Sequence, residues 1–261
     1  MNKYTHAIVR EVSDNFFNGV TTSNLGIPDV KKTRKQHNEY CEALESNGIE
    51  LIRLPKLNAF PDSVFVEDTA IKVDDIFVIG RAGVLSRIGE CSDVTDVLGE
   101  RFDLEFIKYP GTLEGGDVIK AGDHFFIGLS SRTNYDGIIQ FINILDKKGF
   151  AYSVVPVRNV LHLKTGASII TDDCFFMQYV LTIEEFSRHF KTYNFFPHVV
   201  SSKENYAANV LDLNEPVVVI PKGFPEVRRE LNVYLEPDII EIDMSEFQKM
   251  DGSLTCLSIL F

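Results

Sequence analysis

Three stretches of the chain share one pattern: a short apolar strand, a polar turn containing Asp, then a strand rich in aromatic and β-branched residues. Residues 68–80 read "DTAIKVDDIFVIG", 116–128 "GDVIKAGDHFFIG" and 166–178 "GASIITDDCFFMQ", with starting points 48 and 50 residues apart. Such runs meeting at a tight turn predict β-hairpins. Helical stretches follow them. "SRIGECSDVTDVLGE" stops near Gly99. In "TNYDGIIQFINILDKKG", Ile138, Phe141, Ile142 and Leu145 make an apolar stripe, and Gly149 suits the left-handed position after the last turn. "TIEEFSRHF" opens with a Thr182 and Glu185 capping-box pattern. A further strand succeeds each helix, such as "LEFIKYP" or "AYSVVPV".

Two weaker copies complete the chain: "NVLDLNEPVVVIP" with "PEVRRELNVYL", and the terminal run "DGSLTCLSILF". The last lacks its own helix and final strand. The N-terminal strand "MNKYTHAIVREV" and the helix "PDVKKTRKQHNEYCEALESNG" supply them if the chain closes on itself. Five ββαβ units in a ring are therefore expected, because repeats of this length stack or close into solenoids or propellers. An ordinary open α/β sheet is the competing arrangement.

Composition narrows the function. The chain has 261 residues, 44% of them apolar and 20 of them Phe, enough for a sizeable core. No run approaches the ~18 apolar residues a membrane helix needs, and the N-terminus lacks an apolar signal core. Cys41, Cys91, Cys174 and Cys256 lie far apart with no CxxC pair, which argues against a zinc site or a disulfide framework and for a reduced, cytoplasmic protein. The formal charge of −12 disfavours a nucleic-acid binder and is compatible with a small cationic substrate.

Several polar residues sit awkwardly in apolar surroundings. Cys256 lies in the terminal run, which reads as a buried strand, where a free cysteine ordinarily packs as a small hydrophobe. "FPDSVFVEDTAI" places Asp62, Glu67 and Asp68 around a strand, and a loop or bulge would let Glu67 and Asp68 converge on a cation. In "GTLEGGD", Glu114 precedes paired glycines that suggest close backbone approach. "NVLHLK" reads as a strand with His162 and Lys164 on one face. Arg87 and Arg132 follow two of the hairpins at corresponding places near helix starts, which puts two guanidinium forks at one end of the ring, suited to a carboxylate.

Together, "FPDSVFVEDTAI", "GRAGVLSR", "GTLEGGDV", "GLSSRTN", "LHLK", "NYAAN" and "MDGSLTCLS" resemble, in order, the dimethylarginine dimethylaminohydrolase family of the guanidino-group-modifying (pentein) superfamily. The resemblance implies a five-bladed α/β propeller, with residues 1–261 as a single catalytic domain. It implies hydrolysis of Nω-methylated L-arginine to L-citrulline and an amine through a Cys-thiouronium. Cys256 would be the nucleophile, His162 the general acid and base, and Glu114 its orienting carboxylate. Glu67 and Asp68 would hold the guanidinium, and Asp62, Arg87 and Arg132 the amino-acid end. Met250 stands where the family favours a smaller aliphatic residue, and would border the pocket. "FFNGVTTSNLGIP" would supply a covering loop. The partner implied is a small guanidino amino acid, without nucleic acid or membrane, acting on a monomer or homodimer and needing no metal or other cofactor. Another pentein activity is the alternative: an arginine deiminase, an amidinotransferase or a hydrolase of a related guanidino or ureido amino acid. A non-enzymatic ribosome anti-association factor shares the fold, but would have no use for the cysteine, histidine and carboxylates.

Overall fold

The computed structural model describes residues 4–170, 174–178, 196–214 and 216–261. Among these, fifteen strands form five separate three-stranded sheets. Each sheet has an inner, a middle and an outer strand. In sheet 1 these are Ser258–Leu260, His6–Arg10 and Glu50–Leu54; in sheet 2, Ala70–Val73, Ile76–Ile79 and Asp103–Phe106; in sheet 3, Val118–Ala121, His124–Leu129 and Ala151–Pro156. Sheet 4 has Ala167–Ile169, Cys174–Gln178 and Phe196–Val200, and sheet 5 has Leu211–Asp212, Val217–Pro221 and Asp238–Ile242.

Inner and middle strands pair antiparallel, whereas middle and outer strands pair in parallel. A parallel pair needs a crossover. Helices Val30–Ser46, Ser92–Gly99, Tyr135–Lys148 and Pro225–Tyr234 make it in sheets 1, 2, 3 and 5. The expected helix "TIEEFSRHF", with Thr182 and Glu185, lies outside the described residues. The first helix starts where the Asp29 side chain accepts hydrogen bonds from the backbone N–H groups of Lys31 and Lys32 at 2.8 and 3.1 Å. The third ends at Gly149, whose φ of +78° is the left-handed conformation that its sequence position called for. As expected, the C-terminal strand pairs with the N-terminal one to complete sheet 1.

The ring follows from the middle strands, which are apolar on both faces. Successive side chains of a strand point to opposite sides. Phe77 and Ile79 accordingly pack with Ile8 of sheet 1, and Val78 packs toward sheet 3. Phe125 and Ile127 face sheet 2, while Phe126 faces Phe175 of sheet 4. Phe176 meets Val218 of sheet 5, and Val219 meets Ala7 and Val9 of sheet 1. Five apolar wedges thus separate five sheets, the last wedge joining sheet 5 to sheet 1. The fold is a five-bladed α/β propeller.

Two expected strands differ from the structure for one reason. Each inner strand is preceded by a short helical turn: Val66–Thr69, Gly115–Asp117, Leu163–Gly166, Ser202–Ala208 and Thr255–Leu257. "LHLK" is therefore not a strand; His162 leads into a one-turn helix, where its backbone N–H donates to Thr165 Oγ1 at 3.2 Å. The terminal run is a strand only from Ser258 onward, and Cys256 sits in the turn at its head.

Phe125 is fully buried, with edge contacts to Phe141 and Phe150 at ring separations of 5.9 and 5.2 Å. Phe125→Ala is expected to cost about 3–5 kcal/mol of stability, measured by urea unfolding; a loss below about 1 kcal/mol would show that the wedge between sheets 2 and 3 does not hold the ring.

Candidate active site

The inner strands of all five sheets line a cavity of about 470 Å³. A second cavity, of about 20 Å³, lies among the head turns and is lined by Asp62, Asp68, Arg87, Arg132, His162, Met250 and Cys256. Seven of the nine residues singled out from the sequence therefore meet around one space. Of the other two, Glu114 stands directly behind His162, while Glu67 lines the larger cavity instead.

The His162–Glu114 pair is buried, with Nε2 2.7 Å from Glu114 Oε2. The other Glu114 oxygen accepts from the Gly83 N–H at 2.8 Å. Gly116 shows why the paired glycines are needed: a Cβ there would stand 2.9 Å from both the His162 ring and Asp68 Oδ1, while its N–H donates to that same oxygen at 3.0 Å. Burial opposes a charge on His162, but the carboxylates of Asp68, Asp117 and Glu114 outweigh it and raise the imidazole to about 9. Glu114, despite burial, is held below the usual carboxylate range by the hydrogen bond to His162 and by the charges of His162 and Arg87. At neutral pH the pair is an imidazolium against a carboxylate.

Glu67 and Asp68 occupy one turn and diverge. Asp68 Oδ2 accepts from Arg87 Nη1 at 2.6 Å, and burial notwithstanding, His162 and Arg87 hold its carboxyl at about 2. Glu67 accepts from Lys164 Nζ at 2.6 Å and from Thr255 Oγ1 at 3.0 Å. Each acid already faces a cation of the protein. Asp68, Glu114 and His162 each bring a potential ligand atom within 4.8 Å of the others, the one arrangement among the described residues that a metal ion could share.

The two arginines are buried rather than forming surface pairs, and they differ. Arg87 is heavily engaged: Glu90 takes its Nε and Nη2 at 3.0 and 2.8 Å, Asp68 its Nη1, and the Phe65 carbonyl its Nη2 at 3.2 Å. Arg132 Nη1 is buried without a hydrogen bond, 3.6 Å from Glu114 Oε1, and remains available to an anionic group entering the cavity. Burial, countered by Arg87, leaves Glu90 at about 7. Sequence reading missed Glu90, although its place three residues after Arg87 on a turn is an ion-pair spacing.

Val20, in segment 16–28, lines the small cavity. Asp62 accepts from the Val20 N–H at 3.0 Å, and an added Cβ on Gly19 would collide with its carboxylate. Asp251, itself at a φ of +57°, accepts from Thr21 Oγ1, Thr22 N and Thr22 Oγ1 at 3.2, 2.5 and 2.9 Å. Neither Val20 nor Asp251 had been singled out from the sequence. Met250, between that latch and the Cys256 turn, is 3% exposed.

Comparison with known proteins gives the family. A family profile described as arginine deiminase matches residues 61–198, more than half of the chain. A dimethylarginine dimethylaminohydrolase of Pseudomonas aeruginosa is 38% identical over 263 residues, covering 99% of this chain and 100% of that one. The chain belongs to the dimethylarginine dimethylaminohydrolase family. A second member, from Streptomyces coelicolor, is 30% identical across 97% of this chain and 95% of its own. The solved structure of the Pseudomonas aeruginosa family member, a mutant complexed with citrulline, superposes with a TM-score of 0.92 at 36% identity, covering 99% of both chains. The N-terminal domain of a cyanobacterial arginine dihydrolase shares the fold at a TM-score of 0.86 and 14% identity, covering 98% of this chain and 97% of that one. No helix among the described residues is long and apolar enough to cross a membrane.

Beside the small cavity the Cys256 thiol is pushed up to about 12 by burial and by the negative charges of Glu67 and Asp68. A raised pKa means a smaller thiolate fraction at neutral pH than a free cysteine's. Alkylation of Cys256 by iodoacetamide is expected to be slow at pH 7 and still rising above pH 9, followed by peptide mass spectrometry; a plateau reached below pH 8 would contradict a neutral resting thiol. Asp251→Ala is expected to speed amide exchange of Thr22 at least about fivefold, since a net hydrogen bond of about 1 kcal/mol or more is lost, while exchange in the middle strands stays unchanged.

Proposed function

We propose that this protein hydrolyses Nω-methylated L-arginine, both monomethylarginine and asymmetric dimethylarginine, to L-citrulline and methylamine or dimethylamine. The observation that carries this reading is the meeting of Cys256, the buried His162–Glu114 pair, Asp68 and the unbonded Arg132 nitrogen around one small cavity. The names of the full-length relatives agree with it.

A guanidinium is resonance-stabilised and a poor electrophile, so it needs a strong nucleophile held in fixed geometry. The thiol is neutral at rest because acids surround it. A guanidinium bound beside Asp68 offsets those charges and favours the thiolate; because His162 is already protonated, the thiol proton leaves to solvent, and the nucleophile forms when substrate arrives. The sulfur adds to the guanidinium carbon to give a tetrahedral adduct. The His162 imidazolium gives its proton to the departing amine as the C–N bond breaks, leaving a thiouronium on Cys256. Neutral His162 then takes a proton from water, the resulting hydroxide adds to the same carbon, and the C–S bond breaks as the added hydroxyl loses its proton to solvent, releasing citrulline and the thiolate. Glu114 keeps the imidazole oriented and stabilises its charged form. Arg132 receives the substrate carboxylate, with Arg87 behind it, and Asp62 faces the amino group. Glu67 acts from the far side, through Thr255 and Lys164, and Met250 limits the space beside the methyl groups.

Residues 1–261 act as one catalytic domain in this reading, as a monomer or homodimer. The four widely spaced cysteines, with no CxxC pair, suit a reducing compartment, and we place the enzyme in the cytoplasm.

The test is to supply arginine, monomethylarginine and asymmetric dimethylarginine separately and to measure citrulline with the released ammonia or amine. Higher kcat/KM for methylated substrates supports the proposal; a preference for arginine with ammonia release would transfer the protein to the deiminase reaction. Cys256→Ser is expected to lose at least about a thousandfold in kcat, the scale of removing a covalent nucleophile, and undiminished turnover would remove Cys256 from its role.

A further inference from the structure

Four of the five head turns supply the residues discussed above: Glu67 and Asp68 in sheet 2, Glu114 in sheet 3, His162 in sheet 4 and Cys256 in sheet 1. The head turn of sheet 5, Ser202–Ala208, ends at Asn209, two residues before its inner strand. Asn209 belongs to the sequence motif "NYAAN" and has no part in the reaction outlined so far. It is 1% exposed and does not line the small cavity, so substrate is out of its reach.

Its carboxamide is divided between two other turns. Nδ2 donates to the Lys164 carbonyl at 2.8 Å and to Thr255 Oγ1 at 2.9 Å, and Oδ1 accepts from the Thr255 N–H at 3.1 Å. Both amide hydrogens and an oxygen lone pair are therefore in use. Lys164 follows His162 by two residues, and Thr255 immediately precedes Cys256. The Thr255 hydroxyl continues to Glu67 Oε2 at 3.0 Å, and Glu67 Oε1 accepts from Lys164 Nζ at 2.6 Å. The result is a closed circuit, Asn209–Thr255–Glu67–Lys164, whose members sit in four different sheets' head turns. No strand ladder joins sheet 4 to sheet 1. The spacing of the turns bearing His162 and Cys256 must then come from packing and from side-chain bonds of this kind.

We propose that Asn209 is a positioning residue that sets the separation and relative orientation of Cys256 and His162 by clamping their two turns together. The proposal rests on reading Cys256 as nucleophile and His162 as acid. A planar amide with three bonds fixes direction as well as distance, and a misplacement of about 1 Å between reacting groups can cost on the order of a hundredfold in rate.

The test uses Asn209→Ala, Thr255→Val and Thr255→Ser in the full-length protein. Thr255→Val removes the hydroxyl bonds at nearly constant shape, and Thr255→Ser restores them. Asn209→Ala and Thr255→Val are each expected to lower kcat for the methylarginine substrate about 10- to 100-fold with KM changed less than about threefold. Thr255→Ser should recover to within a few-fold of wild type. The Asn209→Ala, Thr255→Val double variant should be no slower than the slower single variant, because either change opens the same circuit. A purely structural role would lower thermal stability or yield while leaving kcat per folded site unchanged, and that result overturns the proposal. If Asn209→Ala does not fold, the Thr255 pair decides alone: equal kcat in the Val and Ser variants overturns it. Iodoacetamide alkylation of Cys256 separates this proposal from the substrate assignment. Shifting the Cys256 turn relative to Glu67, Asp68 and Lys164, whose charges act on the thiol, should move the alkylation midpoint of Thr255→Val. A wild-type protein inert toward methylarginines, but with that shift intact, would reject the substrate and keep the clamp; an unchanged midpoint with unchanged kcat would reject the clamp.

Discussion

The constraint beneath the whole molecule is that each middle strand is apolar on both faces. A strand with one apolar face is content with a single layer above it. Here Phe125 and Phe126, or Phe175 and Phe176, point in opposite directions and both are fully buried, so every sheet needs a neighbour on each side. Five such sheets satisfy one another only when the fifth reaches the first, as Val219 does against Ala7 and Val9. Ring closure brings the inner strands around a common axis and their head turns to a common end. The chemistry at that end is thus a by-product of how hydrocarbon is distributed in the middle strands.

The head turns carry charges that would be costly if buried alone. The structure instead interleaves them. Asp68 lies against Arg87, Arg87 against Glu90, Glu114 against His162, and Glu67 against Lys164. The arrangement leaves two groups with unsatisfied demands, the raised thiol of Cys256 and the unbonded Nη1 of Arg132. A cation with a carboxylate some distance along the same molecule would answer both, and that describes an arginine derivative.

Much of this was legible before any coordinates. The hairpin repeat, the helices after the first two hairpins, the left-handed Gly149 and the pairing of the two terminal strands all follow from apolar period and turn residues, which act locally. Seven of nine site residues meeting in one cavity was legible only through the order of motifs, since the contacts span sheets. What sequence pattern hid was the helical turn before each inner strand. A turn of three or four residues inside an apolar run has no period of its own, so His162 and Cys256 read as strand residues. Glu67 and Asp68 were expected to converge; adjacent positions on a tight turn send them to different cavities. Asp251 and Asn209 were missed because their importance lies in which distant backbone they meet.

The head turns are mounted on five sheets that share packing surfaces but no continuous ladder. Each turn therefore behaves like one jaw of a chuck, seated on its own blade and brought into register with the others by side-chain bonds such as those among Asn209, Thr255, Glu67 and Lys164. A replacement at Met250 or in the segment bearing Arg132 can reshape the grip on the workpiece while the cutting edge, the sulfur and its imidazole, stays in register. A fold built in this way lends itself to new guanidino compounds by changing a single jaw.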